Sequence, residues 1–565
     1  MSGPRGQEAP PPEGSWRALG RWGDPEHSRL PDRGLVRRLQ QALGMPAEDF
    51  QVPPETGSGP VAPQEGPDLP EGALAELEAA LGMGNVRTGT CERLAAASGK
   101  SLLDLLRLRR GLAGPLPAVV LHPRGLQDLE RIVAICARRR IPMVPLGGAS
   151  SVTQALEAPA GGAAIDLTTH MDQVLRFNET NQTVTVQPGI SGPRLEAALE
   201  RAPERFGARR RYTCGHFPQS FEYSTAGGWA ATRGAGQNST YYGKIEDLVV
   251  AQACVTPAGM LRTAEHPAAA TGPDIDQVLL GSEGTFGILA ELTLRVFRRL
   301  PGNPCRFGWM FPDWDSALGA AREVLQGQFG PPSLFRLSDP DETGLALEHY
   351  GGGGGLLDRL LRAFGLAPGS RCLLLGTTEG EAGAARHARR AIRRICRRAG
   401  ALPATGLPVR AWERGRFQDP YLRDALLDRG ILVDTLECAA AWDGLERVRR
   451  AVRARCQARP RTLCLTHLSH VYPQGASLYF IFIARLDRIE DHLAFQAEVL
   501  DTIRAQGAAL SHHHGIGRLS APWLEGQIGP VQMGLLRAIK RQLDPRNLMN
   551  PGGTLGLDLP AHLSR

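Results

Sequence analysis

Three consecutive histidines, His512, His513 and His514, run into Gly515-Ile516-Gly517. Imidazole changes charge near neutrality and is also a common metal ligand. Three in a row cannot all face one way, but alternate ones converge as strand neighbours do. They suit proton transfer or anion binding at one ligand, and a His/His pair also suits zinc. A second group of residues is built for a different task. Pro145 to Ser151 reads PLGGASS, Gly281 to Gly287 reads GSEGTFG, and Tyr212 to Val250 carries six glycines among many Ser, Thr, Asn and Gln. Glycine lets a backbone approach a flat or anionic group closely. Irregular stretches this long are uncommon unless functional. Together the three point to one extended ligand with a phosphate portion.

Regular elements must position these turns. Ala118–Leu121 reads as a strand, Leu126–Arg139 as a helix and Ile141–Pro145 as the next strand, a β-α-β unit that ends in the first glycine turn. Ala163–Leu167, Gln173–Phe177, Thr183–Gln187, Leu248–Val255 and Ile288–Val296 are expected strands, and Ser191–Glu200 a helix. These make an α+β domain over 115–300. Residues 301–565 read as a second α+β domain with a helical C-terminal part. Its expected helices are Trp314–Leu325, Ala382–Arg398, Trp442–Arg455 and Asp491–Gln506, and its strands Cys372–Leu375 and Ser477–Ala484. Residues 1–72 are rich in Pro, Gly and Glu and are expected to be disordered or linker, with a short helix over Leu35–Leu43. A helical segment over 73–114 follows. The five glycines Gly351–Gly355 are expected to form a loop tip.

The chain has 565 residues, 42% of them apolar and 22% charged, as in a soluble globular protein of more than one domain. The net charge of +7 rests on arginine and favours anionic ligands or lipid surfaces. No basic run is interleaved with aromatics, so nucleic acid is not an expected partner. The ten cysteines show no metal-finger spacing, and reduced thiols are expected. No secretory or peroxisomal signal and no apolar run of spanning length is found, so a cytoplasmic location, with possible contact at a membrane periphery, is expected.

The glycine turns, with Phe221-Glu-Tyr-Ser-Thr-Ala-Gly-Gly-Trp229, Gly243-Lys-Ile-Glu-Asp-Leu248 and Thr271-Gly-Pro-Asp-Ile275, resemble the two-subdomain, PCMH-type FAD-binding domain of vanillyl-alcohol-oxidase-type flavoproteins. Within that superfamily, Leu510-Ser-His-His-His-Gly-Ile-Gly517 and Gly475-Ala-Ser-Leu-Tyr-Phe480 resemble the alkyldihydroxyacetonephosphate synthase family. The resemblance implies noncovalent FAD and an α+β cap domain. Pro145, Leu146, Gly147, Gly148, Ala149, Ser150 and Ser151 would wrap the diphosphate through backbone N–H groups. Gln219, Ser220, Phe221, Glu222, Tyr223, Ser224 and Thr225 would line the rest. So would Thr232, Arg233, Gly234 and Ala235, and Glu283, Gly284, Thr285, Phe286, Gly287, Ile288 and Leu289. The small residues Ala226 to Ala231 would form a wall against the flavin.

The implied reaction exchanges the acyl chain of acyl-dihydroxyacetone phosphate for a fatty alcohol, a step of ether-lipid synthesis. Tyr479 matches the family's proton-handling tyrosine. A phenol titrates near about 10, so a base role near neutrality needs a positive neighbourhood, which His512, His513, His514 and the arginines are expected to supply. Arg423 matches the family's substrate-binding arginine, suited to a phosphate or carboxylate. Arg336 matches a second arginine important for activity. Related 2-hydroxyacid dehydrogenases bind a divalent metal through a spaced histidine pair and a Glu-His-Gly run. Here His470 keeps the first position, while Tyr479 and His513 replace the second histidine and the glutamate, so no metal is expected. Gln219 replaces an Asp of the synthases and Ala149 a glycine. The alternative readings are an FAD-linked oxidoreductase for a 2-hydroxy acid or related alcohol, and a non-catalytic flavin-binding protein. The family resemblance also implies a homodimer.

Overall fold

The computed structural model describes residues 19–24, 27–50, 61–349, 355–485 and 488–557. The expected disorder of 1–15 and most of the expected Gly351–Gly355 loop tip lie outside the described residues, as does part of the linker over 52–70.

The first sheet has four strands in the order Val86–Arg87, Val119–Leu121, Ala163–Asp166, Met143–Leu146. The last three are parallel. Parallel strands are covered on both faces, and Val119, Leu121, Met143, Ala163 and Ile165 are accordingly buried. Helix Leu126–Arg139 covers one face with Leu129, Ile132, Val133 and Cys136. The chain leaves the Met143–Leu146 strand directly into the first glycine turn.

The second sheet is antiparallel, in the order Gly259–Arg262, Val249–Thr256, Ile288–Arg295, Thr183–Val186, Val174–Asn178. The 281–287 turn feeds its central strand. Ala226–Thr232, expected as a wall, is a helix, and its Gly227, Gly228 and Ala231 do line the cavity of the candidate active site. Thr225 caps the helix by accepting from the Gly228 N–H at 3.2 Å. Gly227 has a reason of its own, because a Cβ there would lie 2.6 Å from the Pro188 side chain.

The third sheet has seven antiparallel strands in the order Leu402–Pro403, Cys305–Phe311, Cys372–Thr378, Leu334–Ser338, Thr462–Val471, Gly475–Arg485, Ile431–Ala441. Sequence periodicity found only two of these. Helices Trp314–Gln326, Ala382–Arg398, Trp442–Ala458 and Ile489–Ala505 cover one face. The two-residue period of a strand then sorts the side chains. Leu478, Phe480 and Phe482 enter the helix-covered core, while Tyr479 and Ile481 point the other way, into a cavity. No described helix is long and apolar enough to cross a membrane.

The described part of residues 1–72 is not a free linker. Asp32 caps helix Arg33–Leu43. Leu35, Leu39 and Leu43, at helical spacing, pack on Leu426, Ile431, Leu463, Leu465 and Ile483 of the third sheet and its neighbours. Trp22, in the segment 19–24, is only 4% exposed.

Candidate active site

One cavity of about 370 Å³ lies where the three sheets meet. At one end the 143–146 strand delivers Pro145, Gly147, Gly148, Ala149, Ser150 and Ser151 to its wall. Ala149 holds a left-handed φ of 50°. Among the described residues, no backbone or side-chain acceptor takes the amide protons of Gly147, Gly148, Ala149 or Ser150. A run of unpaired amides through such a turn makes an anion-binding concavity. Glycine at 148 is required by the fold as well, because a Cβ would lie 2.1 Å from the Tyr223 carbonyl oxygen.

Of the expected cofactor residues, Gln219, Ser220, Ser224, Thr225, Thr232, Gly234, Ala235, Glu283, Gly284, Gly287 and Leu289 also line this cavity. The remainder do not. Leu146 and Ile288 are core residues. Phe221 stacks on Phe417, and Glu222 accepts from the Tyr421 hydroxyl at 3.3 Å. Tyr223 is buried and donates to the Trp22 carbonyl at 3.0 Å. Arg233 reaches Gln277, Thr285 donates to the Ser282 carbonyl, and Phe286 packs with Leu524 and Met533. Gln219, which departs from the family pattern, is held inside the protein: it donates to the Arg416 carbonyl at 2.7 Å and accepts from Gln237 at 3.2 Å.

At the other end Tyr479, Arg336, Arg423, His513 and His514 line the wall. His512 does not. It is buried behind the others, 2.9 Å from the Tyr472 hydroxyl. The triplet is organised by Glu437, which sits opposite Tyr479 on the neighbouring strand. One of its oxygens accepts from the Ser511 hydroxyl and from the backbone N–H groups of His513 and His514; the other accepts from the His512 N–H at 2.6 Å. Glu283 fastens the following Gly-Ile-Gly by accepting from the Ile516 and Gly517 amides at 3.1 and 2.8 Å.

Arg336 lies in a closed set of partners. It donates to Glu342 at 2.6 Å and meets His467 Nε2 at 3.2 Å, while His467 Nδ1 lies 3.1 Å from the same Glu342 oxygen. Nδ1 faces a carboxylate and Nε2 a guanidinium, so Nδ1 carries the proton. Burial works against the Glu342 charge, yet Arg336 and His467 hold its carboxyl below the usual range. The His467 ring stacks on Tyr479 with centroids 4.9 Å apart.

The expected positive neighbourhood around Tyr479 does not come from the histidines. Burial depresses His470, His512, His513 and His514 below the ordinary imidazole value, so they are neutral near pH 7. Burial also pushes the Tyr479 phenol up to about 12, with Arg336 pulling the other way. His470, His512 and His513, or Glu437, His513 and His514, bring three ligand atoms each within 4.8 Å of one another, as a metal needs. Glu437 already spends its oxygens on the loop amides, and His470 Nδ1 is 2.7 Å from the Ser239 hydroxyl.

His467, Glu342, Glu437 and Trp22 were not singled out from sequence. Only His467 left a signal: the two-residue period of Thr462–Val471 puts it on the same side as Leu463 and Leu465.

Two family models match the chain, the FAD binding domain over residues 117–265 and the C-terminal domain of FAD linked oxidases over 301–554. An alkyldihydroxyacetonephosphate synthase of Caenorhabditis elegans is 30% identical over 81% of this chain and 79% of its own length. That of Dictyostelium discoideum is 28% identical over 93% of this chain and 88% of its own. A solved structure of an alkyldihydroxyacetonephosphate synthase superposes with a TM-score of 0.75 at 26% identity, covering 94% of each chain. The cofactor of this enzyme is FAD. The chain belongs to the alkyldihydroxyacetonephosphate synthase family.

Proposed function

We propose that this protein exchanges the acyl chain of acyl-dihydroxyacetone phosphate for a fatty alcohol, producing an ether-lipid precursor. The observation that carries the reading is the cavity that joins an unpaired amide turn, an arginine with unpaired donors and a half-buried tyrosine between imidazoles. The C–O bond to the fatty acid breaks, a C–O bond to the alcohol forms, and the alcohol's proton leaves with the acid, so nothing is oxidised overall.

FAD is assigned as noncovalent, with its diphosphate on the Gly147–Ser150 amides. The fit rests on those four free donors and on a wall of small residues between them and Tyr479. The chemistry bound FAD supplies is an electron-poor ring beside the reacting carbon. Arg423 takes the substrate's anionic group. Tyr479 handles the proton of that carbon. With its phenol near 12 it is protonated at neutral pH, so it takes a proton only while passing its own to a neutral imidazole, and His467, His513 and His514 surround it. Arg336 opposes the rise of the phenol, and Glu342 with His467 holds it in place. His512 acts from behind by fixing the loop.

We assign cofactor binding to 115–300 and substrate recognition to 301–565. On the same reading the enzyme is a homodimer that meets its substrate at a membrane surface. Leu360, Phe364 and Leu407 support the second point, being 48, 65 and 70% exposed around the cluster that includes the cavity residue Trp412.

The test is turnover of the FAD-loaded protein with acyl-dihydroxyacetone phosphate and hexadecanol. Ether product without oxygen uptake is expected. Rapid flavin bleaching by a D-2-hydroxy acid with no ether product would overturn the reading in favour of an oxidoreductase.

A further inference from the structure

The segment 19–24 lies outside both family-matched regions, yet it is built into the cavity wall. Arg21 makes a two-pronged pair with Asp428 at 3.1 Å on each arm. The Trp22 amide donates to Asp424 at 2.7 Å, and its carbonyl accepts from Tyr223. At Gly23 a Cβ would lie 2.5 Å from the Tyr421 hydroxyl, so the chain passes flush against that ring. These anchors press the Trp22 indole edge-on to Tyr223, with the Arg423 guanidinium carbon 5.3 Å from the indole centroid.

This wall holds buried donors that make no hydrogen bond. Arg423 gives one N–H to the Lys100 carbonyl at 3.3 Å, and its nearest carboxylate oxygen, on Asp424, is 4.0 Å from Nη2. Among the described residues, Arg423 Nε and Nη2 and the indole Nε1 of Trp22 make no hydrogen bond, although all three atoms are buried. Buried donors are almost always paired. Three unpaired ones on two touching side chains in one cavity wall are explained by an acceptor that comes and goes. A carboxylate or phosphate offers several strong acceptor oxygens to a guanidinium and a neighbouring N–H.

We propose that Trp22 and Arg423 together form the anion subsite of the cavity, with the indole N–H donating to the same anionic group as the arginine. The identity of the anion, a fatty carboxylate or the phosphate of dihydroxyacetone phosphate, rests on the synthase reading. The subsite itself rests on the donors. The N-terminal strap is then part of the substrate site.

W22F keeps an aromatic ring and the backbone anchors but removes the N–H together with the five-membered half of the indole. Isothermal titration of the FAD-loaded protein with palmitate, and separately with dihydroxyacetone phosphate, should show W22F weakening one of them about tenfold, the loss of one charge-assisted hydrogen bond. FAD content should be unchanged. The anion that weakens identifies which group the subsite holds. Wild-type affinity in W22F for both anions, no binding of either by wild type, or loss of FAD in place of anion binding would each overturn the proposal. An independent check needs only the wild-type chain labelled with 15N on its eight tryptophans. Saturating anion should move one indole N–H resonance downfield, and no movement refutes the contact. Weakened anion binding in W22F, with no ether made by the wild type, would leave the subsite standing and remove the synthase reading.

Discussion

Glu437→Gln tests how the histidine loop is held against Tyr479. Glu437 is 2% exposed, and among the described residues its carboxylate bonds only that loop: Ser511 and three successive backbone amides, at 2.6 to 3.0 Å. A glutamine has one carbonyl oxygen. If it replaces the oxygen that serves Ser511, His513 and His514, its NH2 must face the His512 N–H, donor against donor. Hydrogen bonds to a charged group are worth about 1.5–3 kcal/mol each, and a buried donor left unpaired costs a similar amount. One bond lost and three weakened amount to about 3–5 kcal/mol. The loop relieves this by moving away, and a shift of about 1 Å at the reacting groups lowers rates on the order of 100-fold. Urea unfolding followed by circular dichroism, beside ether formation by the FAD-loaded enzyme, measures both. The pH dependence gives a third readout. Burial raises the Glu437 carboxyl, but His514 and the loop amides pull it below its ordinary value. Its contribution is therefore present above about pH 4.3 and lost as pH falls through the lower folded value. The glutamine variant should lack that acid-side loss. A variant with the wild-type unfolding curve, acid limb and ether rate would refute the reasoning.

Tyr479→Phe keeps the stack on His467 and should cut ether formation by about 10²–10⁴-fold, the usual worth of a positioned proton-transfer group, with FAD content intact; near-normal turnover would remove Tyr479 from the proton path. Gly148→Ala should purify without FAD, because the new methyl meets backbone at 2.1 Å, whereas Gly114→Ala, with nothing within 4 Å, should keep it; the ratio of flavin to protein absorbance separates them, and equal ratios would contradict the tight turn. His470 and His512 are nearly inaccessible and stay neutral while their unfolded counterparts protonate near pH 6.5. Below that pH the unfolded chain binds more protons, so stability should fall by up to about 1.4 kcal/mol per pH unit for each; urea midpoints that stay level from pH 8 to 5 would exclude buried neutral imidazoles.

The sequence by itself determined what local chemistry can specify. Glycine turns at strand ends, a β-α-β unit and the Tyr479 and His512–His514 motifs carried the cofactor, the family and many of the lining residues, because each lies within a few consecutive positions. The same locality explains what was misread. The small residues of Ala226–Thr232 do form a wall, but their helical form went unread, and Gly227 answers to Pro188, which is distant in the chain. Only the tertiary structure decided which side of each strand faces the cavity and who the partners are. Glu437 and His467 join Tyr479 through the register of three antiparallel strands, and Glu342 closes the Arg336 set from a helix. Trp22 reaches Arg423 across about 400 residues of sequence. The ionisation states followed from burial, which no spacing records: it neutralised the histidines expected to be positive and raised the phenol they were expected to lower. A charge is set by the solvent a fold removes, and that is a property of the packed molecule rather than of any stretch of chain.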